Sequence, residues 1–557
     1  MPRLPGKRIF VEMLIAHGTR YLFGNPGTTE QQLMDVLQDY PQLEYIMGLH
    51  ESVAVGMADG YARAAGRPAV ANVHIAAGLG NALSMLYDAY RGGTPLILTA
   101  GQSDTRLLMY EPTLTANLVE MARQFTKWSY EVLHAADVPQ AVRRAFKVAA
   151  QPPTRPVFLS LPMDMMDDEA DVEIRPLGEV ATRVRPDPAA IDRAAEMFLQ
   201  AESPALLLGD RVASSGAVAE VTRFAELVGA RVYTLNATEV VFPTGHPLYL
   251  GSLNTGNPAT REVLQSFDLV LAAGGPLFQQ FLYLPVQFLG PNTKVIQLDD
   301  DPWEVGKNWP IDLGIQADPK LGFADLYEAV ASRMSGTDRE KAAGRIAAAE
   351  AFKRHLRDKF EQEVRAVWDT RPIAPARLAR ELKNAVPPGT ILVDEAITTS
   401  PAIQAAFDFD EPGTYFRIRG GAIGWGLPAA LGVKLARPER PVVAVVGDGS
   451  AQYTIQSLWS AAHHRIPVTY VICSNRSYRI LKANLRNYLK FSGQGNRQSK
   501  FIGMDLTDPD LDFAALARAY GVRGWRVESP DDLGEALRSA LRADGPALVD
   551  VVLDGRL

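Results

Sequence analysis

Residues 445–475 read VVGDGSAQYTIQSLWSAAHHRIPVTYVICSN. An apolar run ends abruptly in Gly447-Asp448-Gly449, and 25 residues separate that triplet from Asn475, where a second apolar run ends in Ser474-Asn475. The interval has room for one helix and one strand, so the stretch predicts two parallel strands joined by a crossover. Asp448 is a hard anionic oxygen donor and Asn475 offers an amide carbonyl. On neighbouring strands the two oxygens would share one Mg²⁺ or Ca²⁺, completed by water and phosphate oxygens. Gly447 and Gly449 let the backbone approach a diphosphate closely, and Ser450 opens a helix whose free N–H groups favour an anion. A Gly-rich turn ahead of a packed helix would carry the same letters.

The alternation extends outward in both directions. RPAVANVHI, TPLILTAG and RPVFLSLP read as strands in the first third. SPALLLGD, ARVYTLNA, DLVLAAGGP and TKVIQLDDDP follow in the middle, and GTILVDEA, RPVVAVVGDG, IPVTYVICSN and GPALVDVVL in the last part. Helical spacing between them predicts parallel sheets with crossover helices. The expected fold class is α/β, with three doubly wound parallel-sheet domains over residues 1–180, 190–335 and 371–557. The polar RPLGEVATRVRPDPAA reads as a linker near 175–190. The charged SGTDREKAAGRIAAAEAFKRHLRDKFEQE reads as a surface helix bridging domains within 336–370. Ligands in such sheets sit beyond the carboxyl ends of strands, where GDG, SN, GNPG and DEA all fall.

Bulk properties narrow the partners. A chain of 557 residues is too long for one core. Its 47% hydrophobic and 22% charged content is that of a soluble globular protein. The net charge of −7 supplies neither a basic field for nucleic acid nor a polybasic membrane signal. Small molecules and copies of the chain itself are the expected partners. Cys473, the single cysteine, excludes an intrachain disulfide and a cysteine metal cage and fits a reducing, cytoplasmic setting. Within VTYVICSN it is either buried core or a reactive thiol. At the N-terminus, Glu12 interrupts the apolar stretch and no small-residue cleavage site follows. The uncharged residues 68–87 contain Pro68, Asn72, His74 and Gly78, a poor membrane span and a better strand, loop and helix start.

The 445–475 stretch resembles the diphosphate-binding motif of thiamine diphosphate (ThDP) enzymes, which begins with GDG and ends, about that far on, in an Asn pair. Ser474 departs from the pair at the position that binds no metal in the family. The resemblance implies three protein ligands for the ion, namely Asp448, Asn475 and the backbone carbonyl of Ser477. Such an enzyme needs a carboxylic acid beside N1′ of the aminopyrimidine. YIMGLHESVAVGMADGYARAAG resembles the segment that carries it, which assigns the role to Glu51, otherwise a helix-start glutamate favoured by the dipole. RGGAIGWGLPAALG resembles the segment that bends the cofactor, with Gly420 and Gly421 for backbone approach and Ile423 as the apolar wedge. Thr398 in DEAITTS either meets the diphosphate or caps a helix.

Nearly the whole chain shares this resemblance, in the order pyrimidine domain, central domain, diphosphate domain of the pyruvate decarboxylase-like fold. The segments FGNPGTTE, NVHIAAGLGNA, TAGQ, FTKWSYE and GDGSAQYTIQSLWSAAHHRIP resemble the benzoylformate decarboxylase branch most. By that resemblance Thr28 and His74 serve the substrate, His50 lies in the pocket or orients Glu51, and Ile480 lines the substrate pocket. Thr28 with Gln31 also fits a capping box. Phe281 in LAAGGPLFQQFLYLP stands where that branch carries a second catalytic histidine, which makes the pocket more apolar and puts benzoylformate in doubt as the substrate. The implied activity is decarboxylation of a 2-oxo acid, carboligation of aldehydes, or both, through an enamine/carbanion intermediate. The implied partners are 2-oxo acids, aldehydes and further copies of the chain, with a dimer as the minimum and a tetramer by resemblance. An acetolactate-synthase-like ligase, often carrying FAD, and a non-catalytic ThDP-binding protein are the competing readings. FAD is not expected, because NVHIAAG and Ile423 look less like the flavin-bearing branch.

Overall fold

The structure is a computed structural model that describes residues 3–281 and 286–556. The chain forms two compact units. The first gathers Met1–Val180, Val367–Gln404 and Arg417–Leu557, and the second gathers Ala181–Ala366 and Ala405–Phe416.

Two of the three large sheets lie in the first unit. The N-terminal sheet runs Glu44–Met47, Tyr21–Gly24, Ala69–Val73, Leu96–Gln102, Val157–Pro162, Ser129–Glu131, all parallel. Its inner strands are buried along their whole length, including Leu96–Gln102 and Val157–Pro162. Both faces are therefore covered by helices, which is why these strands read as continuous apolar runs rather than as alternation. The chain winds outward from Tyr21–Gly24 to Glu44–Met47 and then returns to place Ala69–Val73 on the other side of Tyr21–Gly24. The crevice at this reversal is bordered by the loops after Gly24 and Val73, which carry Thr28 and His74.

The C-terminal sheet places Ile391–Glu395, Val442–Gly447, Thr469–Ser474, Ala547–Val552 and Arg523–Val527 side by side and parallel. The helices Glu51–Ala65 and Gly426–Ala436 pack against each other between the two sheets. Their backbones nearly touch. A Cβ on Gly60 would lie 2.2 Å from the Ala429 carbonyl, and one on Gly432 would lie 1.9 Å from the Met57 carbonyl, so any side chain there forces the helices apart. Trp425 donates its indole N–H to Asp59 at 2.5 Å across the same junction.

The second unit is built on the sheet Tyr249–Leu253, Arg231–Leu235, Pro204–Leu208, Leu269–Ala273, Lys294–Asp299, Leu313–Gln316, again parallel throughout. A single helix, Gly336–Ala366, runs through the charged Ala-rich stretch. It packs on this unit through Ala349, and Lys353 reaches the His246 carbonyl at 2.7 Å.

All eleven segments read as strands from the sequence are strands here. Apart from the short, buried interior strand Tyr21–Gly24, those not read from it are short and polar or sit at sheet edges, such as Ser129–Glu131 and Arg523–Val527. A strand half open to solvent needs few apolar residues, so its pattern fades into that of a loop. Among the described residues, no helix is long and apolar enough to cross a membrane.

Candidate active site

Strands Val442–Gly447 and Thr469–Ser474 are direct neighbours, with Gly447 paired to Cys473. Their ends therefore bring Asp448 beside Asn475. Asp448 is buried, and its two oxygens accept from the Gly449 N–H at 2.9 Å and the Arg476 N–H at 2.6 Å. Arg476 has φ +58, a turn that reverses the chain between Asn475 and Ser477. Asn475 Oδ1 accepts from the Ser477 N–H at 3.1 Å and its hydroxyl at 3.2 Å. The Ser474 hydroxyl donates to the buried Asp550, so the departure from the Asn pair is used inside the core. Cys473 is fully buried, and burial pushes its thiol well above the ordinary range, as suits core rather than a reactive group. The helix after Gly447 starts at Asp448, so Gly449 and Ser450 lie within its first turn rather than ahead of it.

Burial also pushes the Asp448 carboxyl up to about 6, against the pull of its backbone hydrogen bonds. A cation beside it would relieve that cost. A carboxylate, an amide oxygen and a backbone carbonyl form the hard-oxygen donor set that Mg²⁺ or Ca²⁺ prefers. A Cβ placed on Gly447 meets nothing closer than 3.8 Å, and one on Gly421, at φ +92, meets nothing within 4 Å. Both glycines thus border open space, and the residues present fit a diphosphate cofactor and its ion.

The segment from Gly420 to Gly426, with Ile423 half-buried, is held by two acids that the sequence reading did not single out. Glu395, fully buried at the end of its strand, accepts from the Gly424 N–H at 2.7 Å and the Gly426 N–H at 2.6 Å. Its carboxyl is pushed up by burial to about 7. Asp88, on the helix Ile75–Gly92, accepts from the Ala422 N–H at 3.1 Å, and its other oxygen is buried without a partner among the described residues. Thr398 is half-buried in the turn just beyond Glu395 and precedes the helix Ser400–Ala406. The intervening Ile397 has φ +39, strain that a β-branched residue carries only where its surroundings hold it.

Asp88 yields a pH prediction. Burial pushes its carboxyl up to about 8, with Asp59 and Glu395 adding to the rise and the Ala422 N–H and Arg63 opposing it. The folded value lies above the ordinary 3.8, so the folded chain holds an extra proton between about pH 4 and pH 8, and stability falls across that window as pH rises. Asp88→Asn keeps an acceptor for Ala422 and does not titrate. Its stability, followed by thermal melting, is expected to exceed the wild type's by a margin that opens across the window and reaches on the order of a few kcal/mol above pH 8. Parallel Tm–pH curves for the two proteins would refute this.

Glu51 begins the helix Glu51–Ala65, and His50 caps it by accepting the Ser52 N–H on Nδ1 at 3.1 Å. Buried Glu51 receives one bond to Oε2, from the Asn81 amide at 3.0 Å. A Cβ on Gly78 would lie 2.8 Å from Glu51 Oε1 and 3.2 Å from the Cβ of His74, so Glu51 and His74 are brought together. His74 precedes the helix Ile75–Gly92, whose first residue has φ +32, a second strained isoleucine at a strand end.

His74 Nδ1 lies 2.9 Å from Glu30 Oε2 and 3.2 Å from the Thr29 hydroxyl. Glu30 is itself buried and accepts from the Gly27 N–H at 3.0 Å and the Gly101 N–H at 2.8 Å. The carboxylate thus fixes the ring through Nδ1 and leaves Nε2 without a partner among the described residues. A Cβ on Gly27 would fall 2.1 Å from Nδ1, so only glycine leaves room for the ring. The Thr28–Gln31 capping box does not form, because Gly27 and Glu30 close the turn instead. Thr28 is exposed, and its hydroxyl has no partner among the described residues.

The chain thus presents two clusters, Glu51 with His74, and Asp448 with Asn475 and Ser477, and no hydrogen bond joins them among the described residues. Ile480 is 38% exposed on the first turn of the helix Arg479–Phe491. Phe281, in the second unit, is 90% exposed and directly precedes residues 282–285, which lie outside the described residues.

Three family profiles match in order along the chain. They are the thiamine pyrophosphate enzyme N-terminal TPP binding domain over 5–122, the central domain over 191–326, and the C-terminal TPP binding domain over 397–551. Benzoylformate decarboxylase of Pseudomonas aeruginosa is 33% identical over 97% of each chain. A probable acetolactate synthase large subunit of Methanocaldococcus jannaschii is 29% identical over 99% of this chain and 92% of its own. The crystal structure of benzoylformate decarboxylase from Polynucleobacter necessarius superposes with a TM-score of 0.86 at 30% identity, covering 99% of both chains. With diphosphate-type strand ends, a buried glutamate at a helix start and matches along its whole length, the chain belongs to the thiamine diphosphate-dependent enzymes of the decarboxylase and carboligase type.

Proposed function

We propose that the chain decarboxylates a 2-oxo acid of the benzoylformate type and, where an aldehyde is at hand, ligates the product to it. The observation that carries this reading is the anchored His74, with Nδ1 held by buried Glu30 and its Cβ near Glu51 across Gly78. ThDP, when bound, supplies the electron sink that makes loss of CO₂ from a 2-oxo acid feasible. Asp448, Asn475 and the Ser477 carbonyl hold Mg²⁺ or Ca²⁺ at its diphosphate. Thr398, Gly447, Gly449 and Ser450 border the phosphates, while Gly421 and Ile423 shape the ring site. Glu51 holds a proton on Oε1, the oxygen that Asn81 leaves unbonded. Thr28 offers its hydroxyl to the substrate carboxylate, and His74 moves a proton at Nε2, with Nδ1 fixed by Glu30. His50, whose Nδ1 is occupied by the cap, keeps the start of the Glu51 helix in place. Ile480 adds apolar surface at the substrate, and Phe281, at the position where the benzoylformate decarboxylase branch carries its second histidine, favours carboligation over aldehyde release.

His74→Ala is expected to lower kcat for CO₂ release by roughly 10²–10⁴-fold while cofactor affinity stays within a few fold. Unchanged kcat on every 2-oxo acid tested would overturn the role. That no hydrogen bond joins the Glu51 and Asp448 clusters among the described residues is consistent with assembly of each site from two subunits, in a homodimer or homotetramer. A monomer with full activity in size-exclusion fractions would contradict that. An acetolactate-synthase-like ligase is the second reading, favoured by the archaeal relative. Flavin absorbance in the purified protein would speak for it.

A further inference from the structure

Between Asn475 and Asp505 the chain carries seven Lys and Arg and no carboxylate, in a protein whose net charge is −7. The fold collects part of this stretch into one groove. The helix Arg479–Phe491 sets Lys482, Arg486 and Lys490 on one face at four-residue spacing, a row of like charges that weakens a helix unless something else offsets it. The loop containing Arg497 closes the opposite side, Leu489 and Phe501 supply apolar wall, and Gly555 and Arg556 close the end, around about 610 Å³. Small-molecule sites span roughly 300–1,000 Å³.

Two of these cations are already paired, Lys482 with Asp505 and Arg556 with Asp554 at 2.6 Å. Arg486 and Lys490 have no hydrogen-bond or ion-pair partner among the described residues, and Arg497 reaches only the Gln494 amide oxygen, at 3.3 Å. Asn496, Gln498 and Ser499 add neutral donors to the same wall. The groove also touches the diphosphate loop. A Cβ on Gly555 would lie 2.4 Å from the Asn475 carbonyl, the Leu553 N–H donates to the Ser474 carbonyl at 2.9 Å, and Arg479 donates to the Arg556 carbonyl at 2.9 Å.

Three uncompensated cations exceed what the single carboxylate of a 2-oxo acid can neutralise, and the guanidinium fork suits phosphate oxygens. We propose that this groove binds a small molecule carrying at least two phosphate groups, of the size of a nucleoside diphosphate. The same chemistry is present in a nucleotide-bearing handle on the substrate and in a free nucleotide acting as an effector.

The test uses the full chain saturated with ThDP and Mg²⁺, so that its own diphosphate site is filled. ADP and inorganic pyrophosphate are titrated calorimetrically into the wild type and into the triple variant Arg486→Gln, Lys490→Gln, Arg497→Gln. Both probes are expected to bind the wild type below millimolar concentration, at least tenfold more weakly in the triple variant, and more weakly as salt is added. No binding to the wild type at millimolar ADP, or equal binding to both proteins, overturns the proposal. In steady-state assays, a raised KM at constant kcat identifies a substrate handle and a changed kcat identifies an effector. Either effect, lost in the triple variant, supports the site. Release of CO₂ from simple 2-oxo acids without ADP should be unchanged in the triple variant, which separates failure here from failure of the decarboxylase reading.

Discussion

Glu51→Gln is expected to lower CO₂ release by about 10³-fold, the middle of the range for loss of a positioned acid or base, with ThDP still bound. The substitution is nearly isosteric. The amide introduced there still offers an oxygen to the Asn81 side chain, which donates to Glu51 Oε2 at 3.0 Å in the wild type. The helix start keeps its His50 cap, since that bond goes to Ser52 and not to residue 51. What disappears is the ability to hold and release a proton at Oε1, beside Gly78 and His74. Affinity for ThDP and melting temperature should therefore barely move while turnover collapses. Retained activity in this variant would remove Glu51 from the proposed chemistry.

Asp448→Asn is expected to weaken metal-dependent ThDP binding by roughly 10²–10³-fold. Removing one partner of a buried charge pair costs about 3–5 kcal/mol, and each 1.4 kcal/mol is about tenfold in affinity. Without the metal the sign reverses. Burial pushes the Asp448 carboxyl up to about 6, so its charge is a burden on the folded state until a cation arrives. The metal-free Asn variant should therefore melt at or above the wild type at neutral pH, while the loaded wild type melts well above the loaded variant. Calorimetry of both proteins with and without Mg²⁺ and ThDP checks both signs. A variant less stable than the wild type in the metal-free state would show that Asp448 serves the fold rather than the ion.

The candidate residues at strand ends are legible in the sequence because the signal is local. An apolar run followed by Gly-Asp-Gly or by Ser-Asn announces itself within a few letters, and the same holds for Glu51 between Gly48 and the helix it begins. The residues that support them were not legible. Glu30 matters because it receives the Gly101 N–H from 71 positions away and holds a histidine 44 positions away. Asn81 acts on Glu51, and Asp88 and Glu395 act on the Gly420–Gly426 segment, through contacts that exist only once helices and sheets have packed. Thr28 shows the same limit at short range. Its spacing to Gln31 suits a cap, yet Glu30 wins the turn because its carboxylate bonds the Gly27 N–H and the Gly101 N–H together. The basic groove is not legible for a different reason, since its signal is the lack of carboxylates between Asn475 and Asp505 rather than a motif.

The most direct measurement is CO₂ release by the ThDP- and Mg²⁺-loaded protein from a panel of aromatic and aliphatic 2-oxo acids, with hydroxyketones assayed separately. The expected result is stoichiometric CO₂ from at least one aromatic member, lost when ThDP is removed and in Glu51→Gln. Failure to release CO₂ from any 2-oxo acid, by protein shown to have ThDP bound, would contradict the proposed function.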